Sequence, residues 1–229
     1  MRSALVTGGS SGIGFAIARM LRDEGFEVTV AARTQEKLEA AAAELGAHPV
    51  TANLAREEDC VRVVAAHRER FGAMEVLVNC AGIGIAGTVE SLETKHVDLQ
   101  LAVNLRGLLL VTHEALPLLK GSRGWIVNVA SIAGTTPTPG LTVYGATKAA
   151  VIALTRSENA ELDAAGVRAI ALCPGFVDTA MARWSGLDPD EMIRPADCAE
   201  VVRMCLRLSP RARVPQVVIE RVGARDGVG

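Results

Sequence analysis

The sequence predicts an α/β fold: a doubly wound domain built on one open parallel sheet of about seven strands, with helices on both faces. Three observations point there. Short runs rich in β-branched residues alternate with longer stretches of helical period along the chain. The strand runs are apolar throughout, as they are when helices cover both faces of a sheet. A glycine-rich turn, Thr7 to Gly14, joins the first strand to the first helix.

In chain order, Ala4–Thr7 reads as a strand and Ile13–Asp23 as the helix after it. Glu27–Ala32 with Gln35–Leu45, and Pro49–Thr51 with Glu57–Phe71, repeat the unit. The second half continues with strand Glu75–Asn79, a long helical segment near Thr94–Leu119, and strand Trp125–Val129. A helix from about Tyr144 to Ala165, strand Arg168–Cys173, helix Ala196–Leu208 and strand Gln216–Ile219 complete the series. No linker, repeat or low-complexity segment interrupts it, so residues 1–229 read as a single domain.

Composition excludes several classes of function. With 49% hydrophobic and 22% charged residues, the chain is neither disordered nor fibrous. A net charge of −2 and dispersed Lys and Arg argue against a nucleic-acid partner. The opening apolar run is too short for a signal peptide, and no stretch approaches the ~20 apolar residues a membrane span needs. Cys60, Cys80, Cys173, Cys198 and Cys205 are odd in number and form no C-x-x-C pair, which points to a reducing cytoplasm. His48, His67, His96 and His113 are scattered, so no metal is expected.

The turn Thr7-Gly8-Gly9-Ser10-Ser11-Gly12-Ile13-Gly14 opens directly into an amphipathic helix. Glycines there let the chain turn sharply and let a diphosphate approach the backbone, while the helix N-terminus favours an anion. Gly8, Ser10, Ser11, Gly12, Ile13 and Gly14 are therefore candidates for binding a dinucleotide; alone, the cluster also fits a plain tight turn. At the end of the second strand, where an acidic residue selects the ribose hydroxyls of NAD, stand Ala32 and Arg33. A small neutral residue beside a guanidinium suits a 2′-phosphate, so NADP(H) is expected, with Arg33 the main contact and Ser10 or Ser11 assisting.

Tyr144 and Lys148 stand four apart at the start of a helix and so share one face. A phenol in water holds its proton to about pH 10, but a neighbouring ammonium favours the phenolate. Such a pair can give or take a proton near neutrality. Ser131 follows the Trp125–Val129 strand, where strand ends open onto the ligand crevice, and its hydroxyl could hold a substrate oxygen. Read singly, Tyr-x-x-x-Lys is also a common surface ladder on a helix.

Together these segments resemble the short-chain dehydrogenase/reductase family over nearly the whole chain. The resemblance rests on T-G-x-x-x-G-I-G at Thr7–Gly14, N-x-A-G at Asn79–Gly82, the Asn of Val103-Asn104-Leu105-Arg106-Gly107, Ser131, Tyr144-x-x-x-Lys148, and Pro174-Gly175-x-x-x-Thr179. It implies a Rossmann-type fold and a catalytic tetrad of Asn104, Ser131, Tyr144 and Lys148. In that tetrad Tyr144 is the acid/base, Lys148 bonds the nicotinamide ribose and favours the phenolate, and Asn104 holds a water. Asn53, Leu54, Asn79, Ala81 and Gly82 would then also meet the cofactor, with Pro174, Gly175, Val177 and Thr179 at the nicotinamide. The implied activity is reversible hydride transfer between NADP(H) and a carbonyl or secondary alcohol. A homodimer or homotetramer, joined through the helices at Thr94–Leu119 and Tyr144–Ala165, is implied too.

Two positions depart from the family's commonest pattern. Cys80 replaces the second Asn of N-N-A-G and reads as a small wall residue, and Asn53 replaces the Asp at the adenine. An Asn oxygen can still accept from the adenine amine. The ending at Gln216–Arg221 resembles the subgroup that includes NADP-dependent 3-hydroxy acid dehydrogenases. The variable segment that meets substrate is expected at 182–194, with Trp184. Two other readings stand beside this one. A cofactor-binding scaffold without turnover would not need Ser131 and Tyr144 together, and an epimerase or dehydratase would be expected to carry a larger C-terminal substrate domain.

Overall fold

The computed structural model describes residues 2–223. Seven parallel strands form one sheet in the order β3-β2-β1-β4-β5-β6-β7. They are β1 Ser3–Thr7, β2 Glu27–Ala32, β3 His48–Thr51, β4 Val76–Asn79, β5 Trp125–Val129, β6 Arg168–Pro174 and β7 Gln216–Ile219. The helices are α1 Gly12–Asp23, α2 Gln35–Leu45, α3 Glu57–Phe71, α4 Thr94–Leu101, α5 Leu108–Ser122, α6 Thr142–Glu161 and α7 Pro195–Leu206.

Successive strand residues point to opposite faces. Ala4 and Val6 of β1 join the core under α1, α2 and α7, with Ile17, Leu21, Leu38 and Val202. Leu5 joins the other layer, with Val63 and Val64 of α3 and Val111, Ala115 and Leu119 of α5. Every residue of β1, β4 and β5 is buried, which explains why their sequences do not alternate. The winding direction reverses between β1 and β4, and Thr7 pairs with both Ala31 and Asn79 beside that switch point. A ligand crevice belongs there, outside the carboxyl ends of the strands.

The long helical segment expected near Thr94–Leu119 is helical throughout but not one regular helix. Between α4 and α5, Ala102–Gly107 widens into a π-helical turn. Two close approaches coincide with it. A Cβ on Gly107 would lie 2.4 Å from the Leu54 carbonyl oxygen. The Asn104 amide grips the backbone of Ile83, its Oδ1 accepting from Ile83 N and its Nδ2 donating to Ile83 O, both at 2.8 Å. Such bulges recur at functional sites.

A buried polar chain crosses the sheet behind this turn. Asn79 Nδ2 donates to Thr112 Oγ1 at 3.0 Å and to Asn128 Oδ1 at 2.9 Å. Asn128 Nδ2 in turn donates to Thr155 Oγ1 at 2.9 Å and to Glu158 Oε2 at 2.7 Å. Burial pushes the Glu158 carboxyl up to about 7 from 4.5, against the pull of the Asn128 amide, and the Glu161 charge raises it further. A carboxyl raised in the folded state stabilises the fold most below its unfolded value; the benefit fades as pH climbs from about 4.5 to about 7. Glu158→Gln keeps an acceptor for Asn128 and removes the charge. Its urea midpoint is expected to match wild type near pH 4.5 and to exceed it at pH 8, by on the order of 3 kcal/mol in unfolding free energy. A Gln variant less stable than wild type at pH 8 would mean that the fold favours the carboxylate.

Candidate active site

A cleft of about 460 Å³ runs along the carboxyl ends of the strands, from Arg33 at one end to Trp184 at the other. Its floor begins at the glycine turn. Gly14 is packed so closely that a Cβ there would stand 2.3 Å from the Gly8 carbonyl oxygen, and Gly8 itself has φ +68°. Ser11 occupies the cap position of α1 but makes no side-chain cap bond, and no acidic residue stands in the first turn. The helix N-terminus therefore faces the cleft with its N–H groups uncapped by side chains, the arrangement that attracts phosphate. Thr7 ties the floor together: its Oγ1 donates to Val78 O at 3.3 Å and accepts from Cys80 N and Ala81 N at 3.1 and 3.3 Å.

Beyond the floor, Tyr144 and Lys148 project from the first turns of α6. Lys148 is buried, its Nζ donates to the Val129 carbonyl at 2.7 Å, and it lies 5.6 Å from the Tyr144 ring centre. An ammonium has three donors, so two remain after the Val129 bond. Gly134 lets α6 come this close to β5: a Cβ there would sit 2.6 Å from the backbone of Lys148. Ser131 Oγ accepts from Ala133 N at 3.2 Å, which leaves its O–H as a donor. Gly82 holds the space between Lys148 and Asn104, for a Cβ there would meet Lys148 Nζ at 3.4 Å and Asn104 Oδ1 at 3.5 Å.

The family model for short chain dehydrogenases matches residues 2–189. The chain belongs to the short-chain dehydrogenase family. A curated relative, an uncharacterized oxidoreductase of Staphylococcus aureus, is 33% identical over 223 residues, 96% of each chain. Among solved structures, an alcohol dehydrogenase of Thermococcus sibiricus complexed with 5-hydroxy-NADP superposes with a TM-score of 0.91, 31% identity and 99% coverage of each chain. A variant of actinorhodin polyketide ketoreductase with NADPH gives 0.88 and 31%, covering 96% of this chain and 95% of that one.

Of the residues expected to act in this short-chain dehydrogenase, the structure brings Ser131, Tyr144 and Lys148 into the cleft with Gly8, Ser10, Ser11, Gly12, Ile13 and Gly14 of the glycine turn, Arg33, Leu54, Ala81 and Gly82. Pro174, Gly175, Val177 and Thr179 line it as well. Asn53 lines it too, with its Oδ1 accepting from Ala55 N at 3.2 Å and one lone pair to spare. Asn79 and Asn104 do not line the cleft. Asn79 belongs to the buried chain described above, and Asn104 holds Ile83 from behind, donating also to Thr147 Oγ1 at 3.1 Å. Cys80 is a wall residue whose thiol burial pushes up to about 11 despite nearby Lys148, so it stays protonated.

Sequence reasoning missed Lys37. It stands in the first turns of α2, four residues beyond Arg33, and lines the same end of the cleft. Its only signal was its distance from the strand end. Among the described residues, neither cation makes a hydrogen bond or ion pair. Also missed were Leu141, Phe176 and Met181, which line the far end with Trp184. No group of three or more His, Cys, Asp or Glu is placed to hold a metal, and no helix is long and apolar enough to cross a membrane, among the described residues.

Proposed function

We propose that this family member is an NADP(H)-dependent oxidoreductase that reversibly reduces a carbonyl compound to a secondary alcohol, with Tyr144 as the acid/base. One observation carries the reading: Tyr144, Lys148 and Ser131 meet in the same cleft as an uncapped glycine turn and two unpaired cations. The cleft suits a dinucleotide phosphate, with the helix N-terminus for the diphosphate and Arg33 with Lys37 for a 2′-phosphate. When bound, the nicotinamide supplies or accepts the hydride.

The chain's own residues do the rest. Ser131 donates its hydroxyl proton in a hydrogen bond to the substrate oxygen, and Tyr144 transfers a proton to that oxygen as the C=O π bond breaks. Lys148 gives its spare donors to the ribose, its ammonium standing 5.6 Å from the Tyr144 ring centre. Asn104 acts through Ile83, fixing that part of the cleft wall, and holds a water of the proton relay. The 31% identity to an alcohol dehydrogenase and to a ketoreductase supports this chemistry. The exposed leucines Leu99, Leu101 and Leu109 on α4 and α5 support a homo-oligomer. The five free cysteines suit a cytoplasmic protein.

The test is loss of NADPH absorbance with a panel of carbonyl compounds; cofactor binding without turnover of any of them would favour a scaffold. Lys148→Ala is expected to lower both rate and NADPH affinity, the latter by about tenfold for one lost charge-assisted bond. Fluorescence titration of NADPH checks it, and unchanged affinity would mean that Lys148 does not touch the ribose.

A further inference from the structure

The cleft divides by charge. Its cationic rim is Arg33 and Lys37, at the end of β2. Past the glycine turn, the only ionisable side chains lining it among the described residues are Lys148 and Tyr144, with the protonated thiol of Cys80. Around Ser131 and Tyr144 the wall is Ile83, Leu141, Phe176, Met181 and Trp184. Two further hydroxyls line this end, on Thr179 and on Thr138, and the latter donates to Thr136 O at 3.3 Å.

Met181 and Trp184 are 44% and 62% exposed, large apolar side chains open at the mouth of the cleft. Trp184 packs edge-on against Phe176, ring centres 5.9 Å apart. The base of this segment is pinned: Asp178 N donates to Ile193 O at 2.9 Å and Ile193 N to Phe176 O at 3.0 Å. The segment's two cations, Arg183 and Arg194, are turned away or committed. Arg194 pairs with Asp197, Glu191 lies 3.9 Å from Arg221, and Arg183 is exposed without lining the cleft. A carboxylate placed beside Ser131 would lose water and, among the described residues lining the cleft there, gain no cation except Lys148, which already donates to Val129 and lies 5.6 Å from the Tyr144 ring centre.

We propose that the nicotinamide end of the cleft takes a neutral, apolar carbonyl compound and discriminates against carboxylates, with Phe176, Met181 and Trp184 covering the substrate's apolar body. The proposal rests on the oxidoreductase reading above and runs against the 3-hydroxy acid expected from the chain's ending.

A matched pair tests it: ethyl 3-oxohexanoate against 3-oxohexanoate, with the cofactor-loaded protein. Two readouts are followed, NADPH oxidation and quenching of Trp184 fluorescence, with Trp184→Phe identifying the Trp125 background. The ester is expected to exceed the acid by at least about a hundredfold in kcat/KM and to quench Trp184 at correspondingly lower concentration. Met181→Arg, which adds a cation at the mouth, should move the ratio toward the acid by about tenfold or more. An acid turned over within about tenfold of the ester would overturn the substrate class and leave the reductase reading standing; loss of that acid activity in Arg183→Gln would show which cation had been recruited. Quenching by the ester alone, without NADPH oxidation, would support the class and count against the reductase reading. Failure of both compounds to bind would overturn the proposal.

Discussion

Tyr144→Phe is expected to lower kcat by about 10²–10⁴-fold while leaving NADPH affinity nearly unchanged. The substitution removes one hydroxyl and keeps the ring. The ring's neighbours are Lys148, 5.6 Å from its centre, and Gly84, whose Cβ position lies 3.6 Å from Tyr144 Cδ2; a Phe ring meets both equally well. The bond that Thr147 Oγ1 donates to the Tyr144 carbonyl at 2.7 Å belongs to the backbone and survives. Nothing in the glycine turn or at Arg33 is touched. Binding and chemistry should therefore separate, measured as kcat on a good substrate and as NADPH fluorescence titration on the same preparation. A variant retaining more than about a tenth of wild-type kcat would remove Tyr144 from its assigned role.

What was legible in the sequence was whatever local chemistry decides. The ranges Glu27–Ala32, Gln35–Leu45 and Glu57–Phe71 agree in both readings because each is bounded by residues that settle a terminus. Gly46 and Gly72, at φ +62° and +71°, end α2 and α3 in the left-handed conformation glycine adopts without strain. Tyr144 and Lys148 were legible because helical spacing alone puts them on one face. The π-turn at Ala102–Gly107 was not, because its partners are distant: Asn104 answers to Ile83 and Gly107 to Leu54. Glu158 reads as an ordinary surface residue of a polar helical stretch, and only the approach of Asn128 across the sheet makes it a buried acid. Lys37 and the apolar wall at Phe176 and Trp184 depend on how loops fall over the strand ends, which periodicity does not reach.

Arg33→Ala is expected to raise KM for NADPH by about tenfold to hundredfold and to leave the NADH value nearly unmoved. The expectation begins at the end of β2, where Ala32 leaves room and offers no carboxylate to repel a 2′-phosphate. Arg33 presents a planar fork that suits phosphate oxygens, and it is not committed to any acid among the described residues. Lys37, on the same rim, adds a point charge without the fork, so Lys37→Ala should have the smaller effect. The double variant should then lose most of the distinction between the two cofactors. Ala32→Asp in the Arg33→Ala background goes further, because a carboxylate at that strand end bonds the ribose hydroxyls of NADH and repels the phosphate of NADPH; the preference should turn toward NADH. Exposed charges are screened, so the NADPH advantage of the wild type should also shrink as salt is raised, and the Arg33→Ala variant should be less salt-sensitive. The measurement that comes first is kcat/KM for both cofactors on the unaltered chain. A clear preference for NADH there would mean that Arg33 and Lys37 are solvated rim residues and that the ribose is read by some other group.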